Sequence, residues 1–196
     1  DKCYDLPRPN QFCPLIQRDP GTFRPDSFQQ FALNVAKYET SGVDFSVRYR
    51  LDPADLGVEE DIGIFNFAIA GSRLYNLTFT ELEDAEPDED AGEADAPKWQ
   101  VMFDVTWTYE NWTVNYGFSY FSKTQRIDPA AIALNPDYSD PRFFKYDERF
   151  THDIQVGYEL SDNVEIYGGI NNFTNQEPDP GSLDQPVSPR GRYYYL

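Results

Sequence analysis

The stretch Val101-Met102-Phe103-Asp104-Val105-Thr106-Trp107-Thr108-Tyr109-Glu110-Asn111-Trp112-Thr113-Val114-Asn115-Tyr116-Gly117-Phe118-Ser119-Tyr120 decides the fold class. On either side of Glu110-Asn111 every second residue is apolar or aromatic. Val101, Phe103, Val105, Trp107 and Tyr109 precede the pair, and Trp112, Val114, Tyr116, Phe118 and Tyr120 follow it. The alternate positions hold Met102, Asp104, Thr106, Thr108, Thr113, Asn115, Gly117 and Ser119. Successive side chains of a strand point to opposite faces, so a period of two collects the apolar groups on one side of a sheet. Two such runs joined by two polar residues read as an antiparallel hairpin.

The same rule recurs outward from this hairpin. Val43, Phe45, Val47, Tyr49 and Leu51 alternate with polar residues, as do Phe150, His152, Ile154, Val156, Tyr158 and Leu160, and then Val164, Ile166, Gly168 and Ile170. From Ile62 to Thr80 the pattern is less regular. Phe65, Phe67, Ile69, Tyr75, Leu77 and Phe79 are expected on one face, with Gly71 and Arg73 interrupting the apolar set. At about 3.3 Å per residue such a strand exceeds what a bilayer core requires. The connections differ by side. Asp52 to Asp61, Glu110-Asn111 and Ser161 to Asn163 are short, whereas Glu81 to Pro97, Ile127 to Lys145 and Asn175 to Arg190 are long and polar. Short turns at one rim and long loops at the other characterise outer-membrane barrels.

Composition agrees with an architecture that separates oil from water. Aromatic residues make up 16% of the 196-residue chain, yet the net charge is -18 and mean hydropathy is -0.65. Acids outnumber Lys and Arg by 34 to 16, which excludes nucleic acid as a partner, since phosphate neutralisation needs clustered cations. The acidic run from Glu81 to Asp95 is expected to stay solvated, and it lacks the carboxylate and glycine spacing of an EF-hand. No Gly-rich phosphate loop, zinc spacing or nucleophile motif appears, so the reading is of a non-enzyme without a cofactor. The lone histidine, His152, falls on the apolar face and is expected near headgroup level.

No apolar run reaches the roughly 20 residues of a transmembrane helix, which leaves barrel strands open. A signal peptide is not expected at Asp1, and a fragment is the favoured reading. Cys3 and Cys13 read as a disulfide across a short loop, hence an oxidising compartment; two unrelated free thiols are the alternative.

Asn34 to Tyr49, with Asn34, Ala36, Thr40, Gly42, Val43 and Asp44, resembles the N-x-A-x-x-x-T-x-G-V-D strand of TonB-dependent receptors. Val164 to Pro178 is similar to their penultimate strand, and Pro189 to Leu196 looks like the start of their last one. Cys3, Cys13 and Ile16 to Gly21 resemble a disulfide-bearing outer loop of some of these receptors. The resemblance implies an all-β chain forming an antiparallel transmembrane β-barrel segment. It would supply about seven or eight strands of a barrel of about 22 strands around a plug. Residues 1–30 would be a disulfide-bearing extracellular loop and 31–196 the C-terminal barrel strands. The last strand of the family ends in an aromatic, and this chain stops at Leu196.

The function implied is import of a scarce nutrient (a ferric siderophore, cobalamin, haem or oligosaccharide) across the bacterial cell outer membrane. Its partners would be outer-membrane lipid, the remaining barrel strands and plug, a TonB-type energy-coupling protein reached through the plug, and a small-molecule substrate. Arg48, Arg50, Arg73, Asp104 and Asp153 are candidates for a lumen-facing wall touching plug or substrate; the plainer reading is the wet side of a sheet. Trp99, Trp107, Tyr109, Trp112 and Tyr120 are candidates for aromatic belts at the membrane interface; the plainer reading is cross-strand pairing in a soluble core. Two alternatives compete: a small closed outer-membrane barrel with a structural or adhesion role, and a secreted carbohydrate-binding β-sandwich.

Overall fold

The computed structural model describes residues 3, 7–29, 36–81, 85–179 and 190–196. The expected boundary between residues 30 and 31, Asn34 and Val35 of the family-like strand, and residues 180–189 of the last long loop lie outside them. The chain divides into two compact units, residues 1–36 and 37–196.

In the first unit a disulfide joins Cys3 to Cys13, whose Cα atoms are 4.7 Å apart. Strand β1 (Ile16–Arg18) pairs antiparallel with β2 (Pro25–Phe28). At the turn between them Asp19 Oδ1 accepts from the Gly21 amide at 2.9 Å, the Thr22 amide at 2.6 Å and the Thr22 hydroxyl at 2.9 Å. The Thr22 amide leads these bonds in holding the Asp19 carboxyl below its ordinary pKa.

The second unit is a meander of long strands. In chain order these are β3 (Lys37–Leu51), β4 (Ile64–Thr80), the short β5 (Asp88–Glu89), β6 (Trp99–Tyr109) and β7 (Trp112–Phe121). There follow the short pair β8 (Thr124–Gln125) and β9 (Lys145–Tyr146), with helix α1 (Pro129–Leu134) between them, then β10 (Arg149–Ser161), β11 (Val164–Asn171) and β12 (Tyr193–Tyr195). The sheet runs β12-β11-β10-β7-β6-β4-β3, with β5 paired to β4, and every pairing in it is antiparallel. The two outermost strands each keep an unpaired side among the described residues, so this is an open segment of a barrel.

Register sorts the side chains into two faces. One row reads Val47, Ile69, Phe103, Phe118, His152; the next on the same face reads Tyr49, Phe67, Val105, Tyr116, Ile154, Ile170. The opposite face carries Arg48, Ala68, Asp104, Gly117, Asp153 and, one row on, Arg50, Asn66, Thr106, Asn115, Gln155. Within this unit no described element covers the apolar face. Val47 and Tyr49 are each 58% exposed, and among the described residues no large apolar side chain is buried. A sandwich would require a second sheet there, and that alternative is set aside.

Turns at one end are tight. Glu110 takes a positive φ of 49°, as a two-residue hairpin turn demands. Gly63 has φ 84°, and a Cβ on it would run into the Thr108 carbonyl. The Trp107 indole donates to the Ile62 carbonyl at 2.7 Å, closing the β3–β4 turn against β6. At the other end the long connections carry β5, β8, β9 and α1. The acidic loop is not wholly solvated as expected. Glu89 Oε1 accepts from the amides of Leu77 and Ala91 at 2.9 and 3.0 Å, and Ala91 and Ala96 are buried. A carboxylate can dock backbone amides that a strand edge leaves unpaired, and this anchors β5. No helix among the described residues is long and apolar enough to cross a membrane, which says nothing about a barrel.

One expectation fails on a single residue. The β3–β4 register slips between Ser41 and Gly42: Gly42 pairs with Leu74, but Ser41 pairs with Asn76. Tyr75 is therefore a β-bulge. Past it Leu77 and Phe79 pair with Thr40 and Tyr38, on the face opposite Phe65, Phe67 and Ile69. Gly42 sits where a Cβ would lie 2.6 Å from the Arg73 carbonyl oxygen, so only glycine lets the bulged strand close in.

Candidate functional site

The polar face of the sheet is the candidate site. Arg48 and Asp104 share a row with the small Ala68 between them, and Arg50 stands one row away beside Asn66 and Thr106. Together Arg48, Arg50, Asn66, Asp104 and Thr106 rim a hollow of about 350 Å³. Alternation dictates the grouping, because residues two apart on one strand and directly paired on the next share a face. Among the described residues neither arginine is in an ion pair, so their fork-shaped guanidinium groups remain available to an outside acceptor.

Of the other expected wall residues, Asp153 stands on this face but is engaged. Its Oδ1 accepts from the Asn172 amide at 2.6 Å. Asn172, 7% exposed and at φ 50°, in turn closes its own loop: its side chain donates to the Gln176 carbonyl at 2.8 Å and accepts from the Gln176 amide at 2.8 Å. Asp153 thus pins the β11 exit. Arg73 does not belong to this face at all. It pairs with Val43 and Trp99, in the apolar set, because no bulge intervenes between Phe65 and Arg73 and odd positions stay together.

Two further features of the polar face were not singled out from sequence. A second hollow, of about 440 Å³, lies toward the long loops and is rimmed by Thr40, Asp44, Ser72, Leu77, Asp95 and Gln100. Asp44 and Gln100 share parity with Arg48 and Asp104, so the alternation already marked their face. Leu77 required the bulge. Farther along the sheet the Tyr195 hydroxyl donates to Gln155 Oε1 at 3.1 Å, a bond between β12 and β10 that spans β11.

The aromatic candidates all stand on the apolar face. Tyr109 pairs with Trp112 beside the tight turn, Trp107 stacks on Tyr109 with centroids 5.9 Å apart, and Trp112 lies 4.6 Å from Tyr158. Trp99 and Tyr120 occupy the long-loop ends of β6 and β7. From Trp99 to Tyr109 the strand advances about 33 Å, and at a tilt near 40° this spans about 25 Å, the height of a barrel's apolar band. His152 stands on this face too, 2.7 Å from the Tyr116 hydroxyl through Nδ1 and ringed by Phe118 and Phe173. No group of three or more metal-ligating side chains occurs among the described residues.

The long-loop end is electrostatically strained. Burial pushes the Glu93 carboxyl above its ordinary pKa, and the neighbouring charges of Asp90, Asp88, Asp128 and Asp95 push it the same way. Asp140, bound to Arg142 through Nε at 3.1 Å and Nη2 at 2.8 Å, is held down to about 2, chiefly by those side-chain bonds.

No curated protein and no solved structure matches the chain. A family model described as TonB dependent receptor-like, beta-barrel matches residues 14–173. That match spans most of the chain and nearly all of the meander, and the protein therefore belongs to the TonB-dependent receptor β-barrel family of the bacterial outer membrane.

Proposed function

We propose that this chain forms the C-terminal wall of a receptor that imports a scarce small-molecule nutrient, such as a ferric siderophore, cobalamin, haem or an oligosaccharide. The observation that carries the reading is the opposition of the two faces: an uncovered apolar band on one, and Arg48, Arg50, Asp104 and Asp153 on the other. A barrel wall in lipid needs that division, because its outer side faces hydrocarbon and its inner side faces water, plug and substrate. The apolar face is then the lipid face, with Tyr109, Trp112 and Trp107 in the belt at the short-turn rim and Trp99 and Tyr120 in the belt at the long-loop rim. Arg48 and Arg50 contact plug or passing substrate. The disulfide-bearing unit is an extracellular loop. Members of the family are transporters, and this chain carries no catalytic step; energy comes through a TonB-type protein acting on the plug.

The test is uptake. Cells expressing the full-length receptor should accumulate one labelled nutrient of these classes, and deleting the energy-coupling protein should abolish the accumulation while leaving binding intact. Exchanging both Arg48 and Arg50 for Gln should lower uptake at least severalfold with unchanged heat-modifiable migration. Undiminished uptake in that variant removes the arginines from the path. A full-length protein that fractionates without detergent overturns the reading as a whole.

A further inference from the structure

Arg73 is left over from the proposed transport path, and its surroundings are unusual. Across the apolar rows of β3, β4, β6, β7 and β10 between the short turns and the bulge, it is the only Lys, Arg, Asp or Glu. It occupies the last such row before the bulge at Tyr75, beside Val43 and Trp99. Above that row the same face turns polar, with the Asn76 amide donating to the Ser41 hydroxyl at 3.0 Å. The guanidinium carbon lies 5.0 Å from the centroid of the Tyr75 ring and 5.0 Å from that of Trp99.

These aromatic faces fix the position of the cation but supply no counter-charge. Among the described residues Lys37 pairs with Glu39, Arg142 with Asp140 and Arg149 with Asp179, while no carboxylate pairs with Arg73. In a chain of net charge -18 that isolation is a placement effect.

We infer that Arg73, clamped between Tyr75 and Trp99, binds the phosphate of an anionic lipid headgroup in the leaflet at the long-loop rim. The inference rests on the apolar face being the lipid face. Its physical content is simple. An exposed guanidinium at the edge of an apolar band snorkels toward the headgroups, where its planar fork meets phosphate oxygens in a bidentate way. The two rings hold the fork at that depth, so little side-chain freedom is lost on binding.

The experiment is native mass spectrometry of the full-length receptor released from detergent after incubation with bis-phosphorylated lipid A, or with the same lipid stripped of phosphate. Wild type should retain the phosphorylated lipid at least fivefold more than the stripped one. Arg73→Gln should lose that preference, Arg73→Lys should keep part of it, and Trp99→Leu should weaken it. Equal retention of the two lipids by wild type overturns the inference without needing any variant, and so does an Arg73→Gln protein that retains the preference. Heat-modifiable migration separates the two levels of failure. A folded band with no lipid preference sinks only this site, whereas a wild type with no such band sinks the lipid-facing assignment beneath it.

Discussion

A matched pair of substitutions one residue apart tests the assignment of the faces directly. Val47 pairs with Ile69, which pairs with Phe103, and it lies four residues from both Val43 and Leu51 at the ends of the apolar band. Four residues advance about 13 Å along the strand, which a tilt near 40° converts to about 10 Å from either rim. Val47 is thus close to mid-depth. Arginine at mid-depth on the lipid side costs about 2–4 kcal/mol. Val47 is 58% exposed in the bare sheet, so the bilayer covers over half of it. Removing the valine forfeits about 1 kcal/mol of its transfer free energy. Val47→Arg should therefore destabilise the receptor by about 3–5 kcal/mol, two to three and a half powers of ten in the folding equilibrium. Ser46 pairs with Ala70, which pairs with Met102, on the opposite face, and Ser46→Arg should stay within about 0.5 kcal/mol. The assay is guanidinium unfolding of the full-length receptor in lipid vesicles, read as the midpoint of heat-modifiable migration. Equal shifts for the two variants, or a larger one for Ser46→Arg, refute the assignment.

Three further outcomes follow from the geometry. Reducing the Cys3–Cys13 bridge, which closes a loop with a sequence separation of 10, should destabilise the N-terminal unit by about 2–3 kcal/mol. Limited proteolysis should then cut within residues 7–29 while leaving residues 99–171 protected. Glu93 has a folded-state pKa above its ordinary value, so its contribution favours the packed loop below about pH 4.5 and is lost as pH rises through the raised pKa. Wild type carrying a spin label at position 94 should show greater loop mobility at pH 7 than at pH 4, and Glu93→Gln should flatten that difference. Gly63→Ala forces a Cβ into the Thr108 carbonyl at a positive φ, at a cost of roughly 2 kcal/mol or more. It should also shift Trp107 emission by breaking the bond to the Ile62 carbonyl, and an unchanged spectrum would show that the turn tolerates a side chain.

The strands were legible because a strand in lipid has to write its faces into its own sequence. The hairpin through Glu110-Asn111 shows this most clearly: the alternation from Val101 to Tyr120 names both strands, their turn and the face of each side chain. The runs in β3, β10 and β11 read the same way, each extending a residue or more beyond its apolar pattern. Arg48, Arg50, Asp104 and Asp153 share one face, and parity alone makes that legible. Arg73 has the charge of a wall residue, but its odd position in β4 places it among Phe65, Phe67 and Ile69. The engagement of Asp153 by Asn172 was not legible, since a backbone amide 19 residues away leaves no mark on either side chain.

What the sequence by itself determined is the division into an apolar and a polar face and the order of short and long connections, since both follow from the period of the strand and the chemistry of local turns. The tertiary structure alone decided where that period breaks. Inserting Tyr75 opposite Gly42 costs one residue of register, and register is a property of two strands held together by hydrogen bonds, not of either one alone. That single slip carries Leu77 and Phe79 to the polar face, because every side chain beyond a one-residue shift must change sides, and it ends the apolar set of β4 at Arg73.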